Sequence, residues 1–182
     1  MAETMTLQGG CLCGRIRYEV SLESDEGYYC HCRMCQLAFG NTRVPWFNVF
    51  QRKVQWQGTP TLHASSSFAR RGFCGTCGTP LSFAYVDSER MDLAVGSLDD
   101  PAALKPVSHF AVESRVERWH ADDGLPGHRL DTSEKLAKLW KDGYGADVVP
   151  GVEATRRPLS AARASPTSCP LSRLIGAAHA PA

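Results

Sequence analysis

The chain has 182 residues, enough for one domain with a sizeable core. Hydrophobic residues make up 43% of it and charged residues 21%, which is typical of a soluble globular protein. The formal net charge is only +1, so the basic excess expected of a nucleic-acid-binding protein is absent. We therefore expect no nucleic-acid partner.

The start of the chain and the cysteine content indicate the cellular compartment in which the protein is expected to fold. The first thirty residues hold no apolar segment of the secretory type, and no run of about 18 apolar residues occurs. This predicts a cytoplasmic protein without a membrane span, and it leaves the oligomeric state open. Disulfides are one interpretation of the eight cysteines, but a reducing compartment and their close spacing favour bound metal.

The N-terminal part combines a cysteine pair with a strand. Residues 1–8 are predicted to form a loose tail, and Cys11 and Cys13 follow between glycines. Polar and apolar residues then alternate, which predicts a half-buried strand with Ile16, Tyr18 and Val20 on one face.

The central stretch carries three cysteines in the pattern C-x-C-x-x-C, at Cys30, Cys32 and Cys35. In extended backbone alternate side chains share a face, so Cys30 and Cys32 point the same way and His31 points away. A tight turn then returns Cys35 to the same point. Three thiolates suit zinc, and they leave a fourth tetrahedral position open for water, a substrate or a distant side chain.

Residues 36–50 follow this stretch. Segment 36–41 is predicted to be a turn or loop, and 44–50 a strand in which Pro45 marks a sheet edge or the strand start. Trp46 and Phe47 are predicted to lie in the core, and a pocket wall beside the three cysteines is the alternative.

The following region supplies more short strands and a second cysteine group. Strands are predicted over 54–56, 61–64, 81–85, 91–95 and 109–113, with 81–85 pairing with 91–95. Between them, Cys74 and Cys77 form a C-x-x-C knuckle with glycines suited to a tight turn. Together with Cys11 and Cys13 they make four sulfurs, the ligand count of a closed structural zinc site.

A helix is predicted near the end of the domain. Asp131 is expected to be its N-cap, with Glu134 three residues later as in a capping box. Leu136, Leu139 and Trp140 fall on one face of this helix and are expected to pack on the sheet.

The composition changes towards the C-terminus. Ala, Pro and Ser dominate residues 147–182, which predicts a disordered tail with Cys169 as a free thiol. The folded domain is therefore predicted to span residues 9–146.

The order of the three cysteine groups, and the run C-G-T-P-L after Cys74, resembles the glutathione-dependent formaldehyde-activating enzyme (GFA) family, which also includes centromere protein V. Further agreement with that family is found in Gly96-Ser97-Leu98-Asp99-Asp100-Pro101, in Pro106 and His109, and in Asp122-Asp123-Gly124-Leu125-Pro126. The resemblance covers roughly residues 7–126.

The resemblance implies a fold, two metals and an activity. The fold would be mainly β, a β-tent of short antiparallel strands, with a short helix after it. Two zinc ions would be bound: a structural zinc by Cys11, Cys13, Cys74 and Cys77, and a catalytic-type zinc by Cys30, Cys32 and Cys35. The activity would be carbon–sulfur lyase chemistry that joins glutathione and formaldehyde into S-hydroxymethylglutathione.

Three hypotheses for function follow. The first is a zinc-dependent lyase for a small thiol and an aldehyde, with His109 as the candidate for proton transfer. The second is a non-enzymatic zinc module for protein or nucleic-acid binding, against whose nucleic-acid form the near-neutral charge counts; it would gain if His63, His109 or His120 closed the three-cysteine site as a fourth ligand. The third is a thiol-redox or zinc sensor. Arginines near the cysteines, Arg71 among them, are expected to offset thiolate charge.

Overall fold

The computed structural model describes residues 4–144, and the predicted tail with Cys169 lies outside them. Within this range the chain forms short strands and two helices. The strands are β1 (Met5–Gly10), β2 (Arg17–Leu22), β3 (Glu26–Cys30), β4 (Val44–Phe50), β5 (Val54–Gln57), β6 (Thr61–Ser66), β7 (Ala69–Phe73), β8 (Pro80–Tyr85), β9 (Arg90–Ala94), β10 (Lys105–Phe110) and β11 (Gly127–His128). The helices are α1 (Arg33–Phe39) and α2 (Glu134–Tyr144).

The strands are arranged in two sheets. Strands β1, β2 and β5 form a three-stranded antiparallel sheet. The other eight strands form a second sheet in the order β11-β10-β3-β4-β9-β8-β7-β6. Its neighbours are antiparallel except that β10 runs parallel to both β3 and β11. The prediction of a mainly β fold with a short C-terminal helix is thus confirmed.

The larger sheet buries side chains on both faces. Strict alternation in β2 sends Tyr18, Val20 and Leu22 into a core shared with Phe47 of β4. The next residue back along β4, Trp46, points to the opposite face and packs in a second cluster with two of the cysteines. Strand β4 therefore separates the main core from the face of the sheet on which the three-cysteine group lies.

One prediction around residues 33–50 needs correction, and of the two alternatives for Pro45 the structure shows the strand start. The segment after Cys35 is not a loop, because helix α1 continues to Phe39 and ends at Gly40 in the left-handed conformation. Strand β4 is not at a sheet edge, since it lies between β3 and β9. Pro45 is tolerated because it is the second residue of the strand.

Other boundaries also differ from the sequence-based predictions. Strand β7 was not predicted, because arginines break its apolar pattern, and β10 starts four residues earlier than expected. Helix α2 begins after Ser133, whose carbonyl accepts the first helical hydrogen bond from Ala137. Asp131 is therefore not its N-cap, and it pairs with Arg129 instead.

The C-terminal helix packs through its apolar face. Trp140 is buried in a cluster with Leu130 and Ala111, and Leu136 packs against that cluster, whereas Leu139 is only half-buried. Over residues 4–144, no helix has the length and apolar character needed to cross a membrane.

Candidate metal centres

The first candidate metal centre joins the two sheets. Cys11 and Cys13 lie in the turn between β1 and β2, and Cys74 and Cys77 lie in the turn between β7 and β8. The four sulfur atoms are all within 4.8 Å of one another, with Cys13 Sγ 3.7 Å from Cys74 Sγ. Ligands of a tetrahedral zinc with Zn–S bonds of about 2.3 Å are separated by about 3.8 Å. The sulfur positions fit such an ion.

Hydrogen-bond donors surround these sulfurs. The Ile16 amide donates to Cys11 Sγ over 3.3 Å, and the Thr79 hydroxyl lies 3.2 Å from Cys77 Sγ. Hydrogen bonds from Thr79 lower the pKa of Cys77 to about 5. Donors aimed at sulfur favour the thiolate, which is the form that binds metal.

The second candidate metal centre is the group Cys30, Cys32 and Cys35, which the structure brings together. Cys30 ends β3, Cys32 is the N-cap of α1, and Cys35 lies in the first turn of that helix. Their sulfurs are within 4.8 Å of one another, and the Cys35 amide donates to Cys32 Sγ over 3.4 Å. The first helical turn, rather than a loop, returns Cys35 to its partners.

The pKa shifts of these three thiols show which of them would need a bound cation to become thiolates. Hydrogen bonds to the other two thiols, together with burial, raise the pKa of Cys30 well above its ordinary value. Hydrogen bonds from Cys30 and Cys32, with the charge of Arg71, lower the pKa of Cys35 well below its ordinary value. One thiolate is thus stable by itself, and a divalent cation would stabilise the other two. The donor set fits zinc.

The three-cysteine group has no fourth protein ligand among residues 4–144. His63, one of the three predicted candidates, is exposed on β6. The other two, His109 and His120, pack around His31 away from the sulfurs. In the described part of the chain the three cysteines line a cavity instead.

This cavity has a volume of about 380 Å³ and is lined by the three cysteines. Aromatic side chains from several elements form most of its remaining wall: Tyr28, Trp46, Phe68, Phe83, Tyr85, Phe110 and Trp140. Trp46 is therefore both a core residue and a cavity wall, the two alternatives that the sequence left open. Phe47 packs in the core and does not line this cavity.

Arg71 links the cavity to the cysteines. It is 8% exposed, and its Nη2 donates to Cys35 Sγ over 3.5 Å. Its guanidinium carbon lies 4.9 Å from the centre of the Phe83 ring, and its Nη1 has no hydrogen-bond partner within residues 4–144. Arg71 thus offsets thiolate charge, as expected from the sequence, and it also lines the cavity.

Asp92 is the carboxylate in the cavity wall. Asn48 Nδ2 donates to Asp92 Oδ1 over 2.8 Å, and Tyr28 hydrogen-bonds the same carboxyl group. Burial raises the pKa of Asp92 from 3.8 to about 6. The group therefore exchanges a proton close to neutral pH.

His109 does not line the cavity. Alternation along β10 directs its neighbours Ser108 and Phe110 into the cavity wall and His109 to the opposite face. There its Nδ1 lies 2.8 Å from Nε2 of His31, and its Nε2 lies 2.9 Å from Oδ1 of Asp123. The structure does not bring this predicted proton-transfer residue to the three cysteines.

A hydrogen-bond chain runs from Asp123 through His109 to His31. Burial lowers the pKa of His31 to about 4, so its ring is neutral near pH 7. Nε2 of His109 pairs with the Asp123 carboxylate, so Nδ1 is the ring atom that pairs with His31. His31 points away from its flanking cysteines, as expected, and this chain fixes its side chain.

Sequence reasoning missed several residues of the cavity. Asp92 and His128 both line it, and neither was singled out. The sequence Met91-Asp92-Leu93 could have indicated Asp92, because a carboxylate within an apolar strand is rarely buried without a partner. His128 lies in a two-residue strand that no periodic pattern marks.

Comparison with known proteins defines the class of this chain. The sequence profile of the glutathione-dependent formaldehyde-activating enzyme family matches residues 6–114, more than half of the sequence. The matched range contains both cysteine groups. The chain therefore belongs to the glutathione-dependent formaldehyde-activating enzyme family.

Two individual proteins are similar to it. An uncharacterized lyase of Schizosaccharomyces pombe is 33% identical over 82 residues, which cover 45% of this chain and 60% of that protein. A crystal structure of a Rhodobacter sphaeroides protein matches with a TM-score of 0.41 at 23% identity, covering 51% of this chain and 88% of that one. Nothing about function follows from a structural likeness at that level.

Proposed function

We propose that this protein is a zinc-dependent carbon–sulfur lyase that adds a small-molecule thiol to formaldehyde or another small aldehyde. The observation that carries the proposal is the cluster of Cys30, Cys32 and Cys35 at the wall of a cavity large enough for a small ligand. The family to which the chain belongs, and the yeast relative named as a lyase, support this reaction class. Glutathione is the thiol that the family description names.

The two cysteine groups would have different roles. Cys11, Cys13, Cys74 and Cys77 form a complete ligand set, which we assign to a structural zinc. The other three cysteines would hold a second zinc, which when bound supplies a Lewis acid that lowers the pKa of a thiol. The cavity side chains would hold both reactants beside it and exclude water, which lowers the entropic part of the barrier.

The addition itself balances without an oxidant or a reductant. The thiol loses its proton, a carbon–sulfur bond forms to the aldehyde carbon, and the carbonyl oxygen takes up a proton to become a hydroxyl. We assign to Arg71, which lines the cavity and whose Nη1 has no hydrogen-bond partner within residues 4–144, the role of donating to the oxygen as negative charge develops on it. The Asp92 carboxylate, with a pKa of about 6, is the group that we assign to proton transfer.

Thiol binding is tested by calorimetric titration of the full, zinc-loaded chain. Reduced glutathione and 2-mercaptoethanol are each compared with their S-methyl ethers. We expect saturable binding of at least one free thiol, no binding of the ether, and loss of thiol binding in Cys32→Ser. If neither thiol binds, glutathione and 2-mercaptoethanol are excluded as ligands of the three-cysteine group, and if no thiol of any kind binds, a non-enzymatic zinc module becomes the better interpretation.

Catalysis is tested separately, because thiols and formaldehyde also combine without a catalyst. Exchange NMR measures how fast adduct and free thiol interconvert at equilibrium. We expect an exchange rate that rises in proportion to protein concentration and falls about tenfold or more in Arg71→Gln, as for loss of an oxyanion donor. An exchange rate equal to that of protein-free buffer would contradict enzymatic function.

A further inference from the structure

The cavity beside the three cysteines contains a continuous row of aromatic rings. Trp46 contacts Phe83 at 6.4 Å between ring centroids, Phe83 contacts Tyr85 at 5.1 Å, and Tyr85 contacts Phe68 at 6.2 Å. The row continues from Phe68 to Trp140 at 6.5 Å. We call these five residues the aromatic row. It leads from the buried β4 wall, where Trp46 packs with Cys30 and Cys35, to helix α2.

Part of this row is available to a ligand. Phe83, Tyr85 and Phe68 are only half-buried although they line the cavity. Aromatic faces that remain partly uncovered inside a concave site provide a large apolar contact area for a bound molecule.

The wall of the cavity contains few charged side chains. Arg71 is the only lysine or arginine that lines the cavity in the described part of the chain, and one of its two amino groups contacts Cys35. Asp92 is the only acidic group of the lining there. Glutathione carries two carboxylates and an ammonium group at neutral pH, and this wall has no matching set of partners for them. Burying charges without partners is costly.

From this wall we infer that the thiol substrate has an uncharged aromatic body, of the arylalkyl thiol class, rather than the charged tripeptide body of glutathione. The inference rests on the proposed function, since it takes the thiol sulfur to lie at the three cysteines. The aromatic body then lies along the aromatic row. Arg71 Nη1 remains for the single oxygen of a small aldehyde.

The test is a competition between thiol bodies on the same zinc-loaded full chain. Phenylmethanethiol, glutathione and 2-mercaptoethanol are titrated calorimetrically, with methyl benzyl sulfide as the thioether control. We expect phenylmethanethiol to bind about tenfold tighter than either of the other thiols, and the thioether to bind far more weakly. Including an uncharged polar thiol separates the effect of the aromatic body from the effect of charge.

Each other outcome has a distinct meaning. Glutathione binding as tightly as phenylmethanethiol would overturn the inference and leave the proposed function standing. Equal binding of phenylmethanethiol and its thioether would show that the free thiol group is not recognised, which overturns both the inference and the proposed function. Binding by no thiol would also overturn both.

A pair of variants tests the location. Leu136 lines the cavity from helix α2 and is half-buried, so Leu136→Arg adds a cation to the wall. We expect it to reduce the preference for phenylmethanethiol over glutathione about tenfold. Leu37→Arg is the matched control, because Leu37 is 53% exposed on α1 and does not line the cavity. An unchanged preference in Leu136→Arg, with zinc still bound, would contradict binding along the aromatic row.

Discussion

Asp92 shows how one buried side chain couples the cavity to pH. Its pKa is raised in the folded chain, mainly by burial, so the native state binds the proton more tightly than the unfolded state does. The resulting stability is complete below the ordinary pKa of 3.8 and is lost as the pH rises through about 6. The charged carboxylate is thus tolerated at neutral pH at the expense of stability.

We predict that Asp92→Asn is less sensitive to pH than the wild-type protein. Between pH 5 and pH 8 the wild type should lose roughly 1–2 kcal/mol of unfolding free energy that the variant retains. Urea unfolding of the zinc-loaded proteins across this range measures the difference. Asp87→Asn, at an exposed turn, is the control and should follow the wild type. Parallel pH profiles for wild type and Asp92→Asn would contradict the prediction.

At the scale of elements, the hydrogen-bond chain His31–His109–Asp123 ties the segment between β3 and α1 to β10. His31 is 2% exposed and His109 is 1% exposed, so neither ring can replace a lost partner with bulk water. His31 is flanked by two of the three cysteines. We therefore assign His109 to positioning the cysteine segment rather than to chemistry.

His109→Ala should lower the unfolding free energy by about 1–3 kcal/mol, because it leaves a buried His31 nitrogen unsatisfied. It should also speed the release of one zinc to a chromogenic chelator and leave the release of the other unchanged. His63→Ala, at an exposed strand position, is the control for both measurements. Wild-type zinc release in a destabilised His109→Ala would show that His109 is structural only.

The contact between β1 and the turn after β9 depends on a glycine. A Cβ atom at Gly9 would lie 2.5 Å from the Ser97 carbonyl oxygen and 2.5 Å from the Tyr18 ring. The Tyr18 hydroxyl is 2.7 Å from the Ser97 hydroxyl, so the ring is held in place. The close approach of β1 to this turn leaves no space for a larger residue at Gly9.

Gly9→Ala is accordingly predicted to destabilise the protein by about 1–3 kcal/mol through overpacking. Gly96→Ala is the matched control, since a Cβ atom there would have no neighbour within 4 Å. Urea unfolding midpoints of the two variants provide the comparison. Equal urea midpoints for Gly9→Ala and Gly96→Ala would mean that β1 can move away from the turn after β9 with little loss of unfolding free energy.

On the scale of the whole molecule, the four-cysteine centre connects two sheets that also share an apolar core. The turn of Cys11 and Cys13 belongs to the three-stranded sheet, and the turn of Cys74 and Cys77 to the eight-stranded sheet. A metal held by both turns cross-links parts of the chain that are distant in sequence. Such a link stabilises the fold by the free energy of metal binding.

We therefore predict different consequences for the loss of each metal. Cys74→Ser and Cys32→Ser should each lose one zinc per chain by elemental analysis, but Cys74→Ser should show the larger fall in Tm. Cys169→Ser, outside both groups, should keep two zinc ions and the wild-type Tm. Two retained zinc ions in Cys74→Ser would contradict the assignment of the structural centre.

Much of this architecture could be predicted from local sequence. The alternation around Tyr18 and the pairing of β8 with β9 follow from period-two patterns, which depend only on neighbouring residues. The grouping of the cysteines follows from their spacing and soft donor chemistry. Helix α1 was missed because its seven residues carry no complete apolar repeat, and its start is set by Cys32 as N-cap.

The amino-acid pattern alone indicated the candidate sulfur ligands, their division into two groups and the mainly β character of the chain. Only the tertiary structure decided what surrounds the three-cysteine group. It directed His109 away from the sulfurs, and it brought Arg71 and Asp92 from separate strands to one cavity. The physical reason is that spacing along a strand fixes which face a side chain points to, whereas pairing between distant strands decides what that face meets.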